Sequence, residues 1–144
     1  MEKLRALAPA PWTYLATGEP LDDEMRARIL RHQQERGDGW VTKEQSRAPS
    51  IEGTTLLDCL TLWISNRMFD GATDEQILTE TAQLCEAARG HHVVMVTNEV
   101  GLGLVPENPL GRRFRDLQGW VNQKVAAAAD EVWLVACGLP LSLK

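Results

Sequence analysis

No run of apolar residues approaches the ~20 that a bilayer-spanning helix needs, so a spanning helix is not expected. The opening residues, MEKLRALAPAPW, carry charges at positions 2, 3 and 5 and no apolar h-region, and they do not read as a secretory signal. Together these features predict a cytoplasmic protein. Cysteine is scarce. Cys59, Cys85 and Cys137 are odd in number, widely separated and without CxxC spacing, a pattern that predicts reduced core thiols rather than a disulfide framework or thiolate metal site. Excess positive charge is missing too. With net charge −5 and pI near 5.2, neither nucleic acid nor an anionic membrane is an expected partner.

Histidine is nearly as sparse, with three residues. His91 and His92 follow Gly90 with no cysteine or carboxylate at ligand spacing, which predicts surface turn residues. The sequence also lacks a GxSxG elbow and any cysteine paired locally with histidine. What chemistry the chain performs must therefore come from His32, from carboxylates, or from glycine-bearing loops.

What is present fits one domain spanning residues 1–144. A chain of this length, 44% hydrophobic, can bury roughly 68–70% of its unfolded surface. Short β-rich runs alternate with helical periodicity. WTYLA (12–16), GWVTKE (39–44), TTLLD (54–58), HVVMVTN (92–98) and EVWLVAC (131–137) read as strands or extended segments, and LPLSLK (139–144) as an edge. Helices are expected over 20–36 with Asp22 as N-cap, over 59–69, over 73–89 between Thr73 and Gly90, and over 112–129. This alternation predicts an α/β fold, a mostly parallel sheet with helices on both faces.

Ligands of such sheets bind beyond the carboxyl ends of the strands. Those ends carry ATGEP, Asp58 and TNEVGLG. Asp58 has the placement of an acid that holds a magnesium-bound water beside a nucleotide, and equally of a helix N-cap. TNEVGLGLVPENP (97–109) is either a ligand loop or a plain connector. It is not a dinucleotide fingerprint, since Pro106 stands where GxGxxG requires glycine. His32 shares a helical stripe with Met25, Ile29 and Arg36, with Arg28 one turn before it. It is either a core or interface histidine, or a nucleophile attacking phosphorus between arginines that hold phosphate oxygens.

Read together, YLAT (14–17), DDEMRARI (22–29), His32, Arg36, WVTKE (40–44), LLDCLTLWISN (56–66), the stretch of pattern TNEVGxGxVPEN…RxFRDxxGxxNQ (97–123) and GLPLSLK (138–144) resemble the bifunctional adenosylcobinamide kinase / adenosylcobinamide-phosphate guanylyltransferases of cobalamin biosynthesis. The resemblance covers nearly the whole chain. It implies a P-loop NTPase-like fold and two activities: phosphorylation of the aminopropanol hydroxyl of adenosylcobinamide by GTP or ATP, and transfer of GMP from GTP through a histidine-bound GMP. It places His32 at the histidine. Ala16, Thr17 and Gly18 fall on the nucleotide-contacting turn, and Gln33, Gln34, Glu35 and Arg36 fall where guanine nucleotide is held. Glu44 joins the nucleotide-binding set, and Asp58 takes the place of the acid near Mg2+, acting through water. A homo-oligomer, a trimer, is also implied.

Two departures accompany the resemblance. The family begins with a strand and a GxxxxGKS/T loop whose amides and lysine cradle phosphates, whereas no Gly-Lys pair occurs in these residues and Met1 aligns within the helix that follows the loop. The expectation is a fold truncated at its N-terminus, whose true start lies upstream or which is a catalytically inactive remnant acting only as a folded or oligomerising domain. Second, only QSRAPSIEG separates Glu44 from TTLLD, too short for the helix the family places there.

Overall fold

Alternation along the first strand decides which side chains cover which side of the sheet. A computed structural model describes residues 1–20 and 22–144; Leu21, within the helix expected over 20–36, lies outside the described residues. In it β1 (Trp12–Ala16) turns Trp12, Tyr14 and Ala16 to one face, where they pack with Leu4, Leu56, Trp40 and Val94. Leu15 points the other way, into the larger core with Leu57, Leu60, Trp63, Ile64, Ile77, Leu84, Leu117 and Val121.

Four parallel strands lie in the order β2-β1-β3-β4, with β2 (Trp40–Glu44), β3 (Thr55–Asp58) and β4 (Val93–Val96) flanking β1 as named. The larger core is covered by α3 (Leu60–Phe69), α4 (Asp74–Ala88) and α5 (Pro109–Ala128). The smaller face meets α1 (Glu2–Leu7) through buried Leu4, and the last residue of α2 (Asp23–Arg36) through Arg36. The α/β fold with helices on both faces is thus present, and a parallel sheet flanked by helices is consistent with a P-loop NTPase-like fold.

Local signals set the helix starts as read. Asp22 caps α2 by accepting from Met25 N at 2.7 Å, and Thr73 with Gln76 forms a capping box on α4. Helix α5 starts three residues earlier than periodicity suggests, because Asn108 accepts from Gly111 N and Pro109 fits the first turn. The N-cap of α3 is Cys59, so the capping role open to Asp58 falls away.

Two expectations need correction. The segments over 131–137 and 139–144 do not join the parallel sheet: β5 (Trp133–Ala136) and β6 (Leu139–Ser142) pair with each other as an antiparallel hairpin closed by Cys137 and Gly138, both at positive φ. A two-residue turn lets β6 reach β5 with no crossover, so local pairing wins over sheet extension. Lys144 secures the end by donating to Ala126 O, Ala127 O and Ala129 O, completing orphan carbonyls at the α5 terminus. Nor are the cysteines uniformly core thiols. Cys59 is buried, Cys85 half-buried, and Cys137 exposed on the hairpin turn.

Residues 45–54, between β2 and β3, hold no helix, as their length predicts. The two strands they join are not neighbours, since both pair with β1. Ile51 anchors the segment in the larger core, Trp63 Nε1 donates to Arg47 O at 3.0 Å, and Asn66 Nδ2 donates to Ser46 O at 3.2 Å.

Candidate nucleotide and histidine site

Because β1, β2, β3 and β4 run parallel, their carboxyl ends place ATGEP, Glu44, Asp58 and TNEVGLG along one edge of the sheet. The most closely knit part of that edge surrounds Asp58. Tyr14 lies one position diagonal to Asp58, since Ala16 is the direct partner, and a tyrosine leaning along its strand spans that separation. Its hydroxyl donates to Asp58 Oδ2. Burial, and then this bond to a carboxylate, push the Tyr14 hydroxyl above its ordinary value, so it stays a donor.

On the other side of the phenol ring sits Arg36, its guanidinium carbon 3.8 Å from the ring centroid. Arg36 is only 4% exposed, and no carboxylate lies within ion-pair distance of it among the described residues. The negative ring face is its electrostatic partner. Its carbonyl accepts from Arg5 Nη2 at 2.9 Å. Asp58, Tyr14 and Arg36 therefore form one connected group.

The remaining expected site residues divide sharply. His32 is exposed on α2, as are Gln33, Gln34, Glu35 and Arg28, while Met25 and Ile29 are half-buried. The core alternative for His32 is thereby removed. The two arginines flanking it in sequence are not equivalent in space, for Arg28 is exposed on the surface and Arg36 is turned inward onto Tyr14.

Thr17 is wholly buried and fully engaged. Its hydroxyl donates to Cys59 O at 2.7 Å and accepts from Cys59 N at 2.8 Å, its amide donates to Asp58 O, and its carbonyl accepts from Asn66 Nδ2. It locks the turn after β1 to the turn after β3. Ala16 and Gly18 are half-buried beside it, and a Cβ on Gly18 would meet Leu62 Cδ1 at 3.3 Å. Glu44 is exposed at the end of β2.

The turn after β1 is held from outside by residues that the sequence did not single out. Glu19 accepts from Ser46 Oγ at 2.7 Å and pairs with Arg47, which also meets Asp70 at 2.8 Å. Ser46, and then Arg47, hold the Glu19 carboxyl below its ordinary value. Partners 27 and 28 residues away leave no local pattern to read.

TNEVGLG is neither featureless nor independent. Arg115, Gln118 and Asn122, at spacings of three and four on α5, form one stripe. They donate to Gly101 O, Thr97 Oγ1 and Asn98 O, and Thr61 Oγ1 accepts from Asn98 N. Of the three, Arg115 and Asn122 are fixed positions of the pattern RxFRDxxGxxNQ, which thus supplies part of the helix face that holds this loop.

Asp58 fits the acid of a magnesium site in one respect. It offers a carboxylate at a strand end with one oxygen held by Tyr14, and Mg2+ commonly takes one or two carboxylates with water and phosphate completing its shell.

Comparison with known proteins follows the same outline. The model of the family described as cobinamide kinase / cobinamide phosphate guanyltransferase matches residues 2–143. The chain is similar to the bifunctional adenosylcobalamin biosynthesis protein CobU of Salmonella typhimurium, 42% identical over 159 residues covering 91% of this chain and 84% of that protein. It is similar to CobU of Escherichia coli (41% identical; 91% and 84%) and to the bifunctional adenosylcobalamin biosynthesis protein CobP of Pseudomonas aeruginosa (35%; 99% and 88%). A 159-residue alignment exceeds the 144 residues present here, so the Salmonella protein carries internal residues that this chain lacks. With the family model spanning nearly every residue and relatives above 40% identity, the chain belongs to the cobinamide kinase / cobinamide phosphate guanyltransferase family.

Proposed function

We propose that this chain takes part in adenosylcobalamin biosynthesis by moving GMP from GTP onto cobinamide phosphate through His32, after phosphorylation of cobinamide by GTP or ATP. The observation that carries the reading is the exposure of His32 on α2 within a chain of this family. A neutral imidazole nitrogen attacks the α-phosphorus of GTP, an N–P bond forms, the bond to the bridging oxygen breaks, and pyrophosphate leaves with that electron pair. The imidazole gives up its N–H proton to solvent. A phosphate oxygen of cobinamide phosphate then attacks the same phosphorus, the N–P bond breaks, and the imidazole nitrogen leaves with that electron pair and takes back a proton from solvent.

Asp58 would hold Mg2+ through water together with nucleotide phosphates, and the ion when bound supplies charge neutralisation at the phosphates. Ala16, Gly18 and Glu44 line the strand-end edge to which the nucleotide is assigned, and Gln33, Gln34, Glu35 and Arg36 follow His32 where guanosine is assigned. Thr17 contributes by holding the turn rather than through its hydroxyl, which both Cys59 backbone groups occupy. No helix among the described residues is long and apolar enough to cross a membrane, and we place the protein in the cytoplasm. We further read it as a homo-oligomer, a trimer; sedimentation equilibrium should return about three times the 16.0 kDa of one chain, and a monomer would refute that reading.

A second reading is a folded domain of the family without catalysis. It is favoured by the absence of any GxxxxGKS/T sequence within these residues. Labelling with α-32P-GTP separates the two, run on this chain and on the chain extended by a strand and such a loop. Guanylyl transfer predicts an acid-labile, base-stable adduct that His32→Ala and His32→Asn both abolish. An extended chain that stays unlabelled would leave the non-catalytic reading standing, and one that labels equally without His32 would refute the role of His32.

A further inference from the structure

We propose that Tyr14 is a positioning residue that joins Asp58 to the helix carrying His32, so that the Asp58 carboxylate helps to hold the last turn of α2. The inference deepens the reading above, which supplies the roles of Asp58 and His32, but its geometry stands without them. The phenol hydroxyl donates to Asp58 Oδ2, and the face of the same ring carries the Arg36 guanidinium at 3.8 Å.

Three features make this a link rather than a chance contact. First, α2 is poorly attached elsewhere: Met25 and Ile29 are half-buried, Leu30 is exposed, and Arg36 is the one buried side chain among the described residues of the helix. What fixes the C-terminal turn is therefore the seat of Arg36, together with the Arg5 hydrogen bond to its carbonyl. Second, Arg36 has no carboxylate partner among the described residues, so Tyr14 is its electrostatic partner, through the ring face and through the hydroxyl, on which the Arg36 charge also acts. Third, a phenol that donates to a carboxylate carries more electron density in its ring, which strengthens the attraction for a guanidinium. Loss of that acceptor weakens the seat of Arg36 and loosens the turn that follows His32. Trp40, edge-on to Tyr14 at 6.3 Å between centroids, limits the ring's freedom to turn away.

A double-mutant cycle on the chain as it stands tests the link without nucleotide. Asp58→Ala should speed amide exchange at residues 33–36 about tenfold, with α4 and α5 on the opposite face unchanged. In a Tyr14→Phe background, which keeps the ring and removes the hydroxyl, Asp58→Ala should add nothing further. Tyr14→Leu, which removes the seat as well, should loosen the turn more than Tyr14→Phe. Should Asp58→Ala fail to fold, Asp58→Leu serves, with unchanged exchange in α4 and α5 as the folding check. The chain holds a single tyrosine, so a ring-carbon NMR label on Tyr14 gives one resonance. That resonance should move on substitution at Asp58.

Equal acceleration of α2 exchange by Asp58→Ala in the parent and in the Tyr14→Phe background, or none in either, overturns the proposal. The outcome is separable from that of the guanylyl reading. Failure of His32 to take up label leaves the exchange cycle decisive for Tyr14, and an uncoupled cycle leaves the labelling result untouched.

Discussion

Thr17 shows how a residue's type and its position can point in different directions. A threonine in a turn after a parallel strand invites assignment to a phosphate, yet its hydroxyl lies between Cys59 N and Cys59 O with no exposed surface. Thr17→Val keeps the shape and removes both bonds; Cys59 O keeps its bond from Trp63 N, but the buried Cys59 amide is left without a partner at a cost of about 1–3 kcal/mol. Urea denaturation should show a lowered midpoint with an unchanged slope, while Thr17→Ser should retain most of the stability. Equal midpoints for Thr17→Val and the parent would return the hydroxyl to a ligand role. His32 is the opposite case. Its stripe with Met25, Ile29 and Arg36 was legible, but a stripe does not say which of its members faces inward, and exposure of His32 was decided by how α2 docks, with Arg36 buried and Met25 and Ile29 half-buried.

Among the elements, the short crossover over 45–54 carries more than its length suggests. It ties the turn after β1 to the α3 side through Glu19, Ser46, Arg47 and Asp70. Glu19 titrates below its ordinary 4.5 in the folded protein, chiefly through Ser46 and then Arg47. A carboxylate depressed on folding contributes stability that is complete above its unfolded value and lost as pH falls through the folded one. Amide protection at residues 45–50, corrected for the intrinsic exchange rate, should therefore be constant above pH 4.5 and fall below it. Glu19→Gln should show the weaker protection throughout the upper range. A loss confined to the alkaline side, or a flat profile in the parent, would exclude the tether. The effect is small because the pair is partly solvated.

On the molecular scale, the carboxyl edge of the sheet collects Ala16, Gly18, Glu44 and Asp58, but the 144 residues contain no loop of the GxxxxGKS/T kind to cradle a triphosphate. Since phosphoryl chemistry rests mainly on positioning and electrostatics, calorimetric titration of this chain with Mg-GTP should give no micromolar affinity. Micromolar binding would require a phosphate site made from other residues on that edge.

The sequence by itself determined the elements that depend on near neighbours. Alternation in WTYLA, the caps at Asp22 and Thr73, and the apolar runs TTLLD and HVVMVTN carried their own signals, because capping bonds and side-chain periodicity act within a few residues. It likewise brought Ala16, Glu44 and Asp58 to one edge, since parallel strands bring all their carboxyl ends together. Only the tertiary structure decided the rest. The burial of Arg36 beside an exposed His32, the closure of Thr17 on Cys59, and the bond from Tyr14 to Asp58 each join residues whose partners are chosen by packing. A contact across 22 residues from Tyr14 to Arg36, or 44 from Tyr14 to Asp58, follows from strand order and helix docking, which are set by burial of the whole core and leave no trace in any local window.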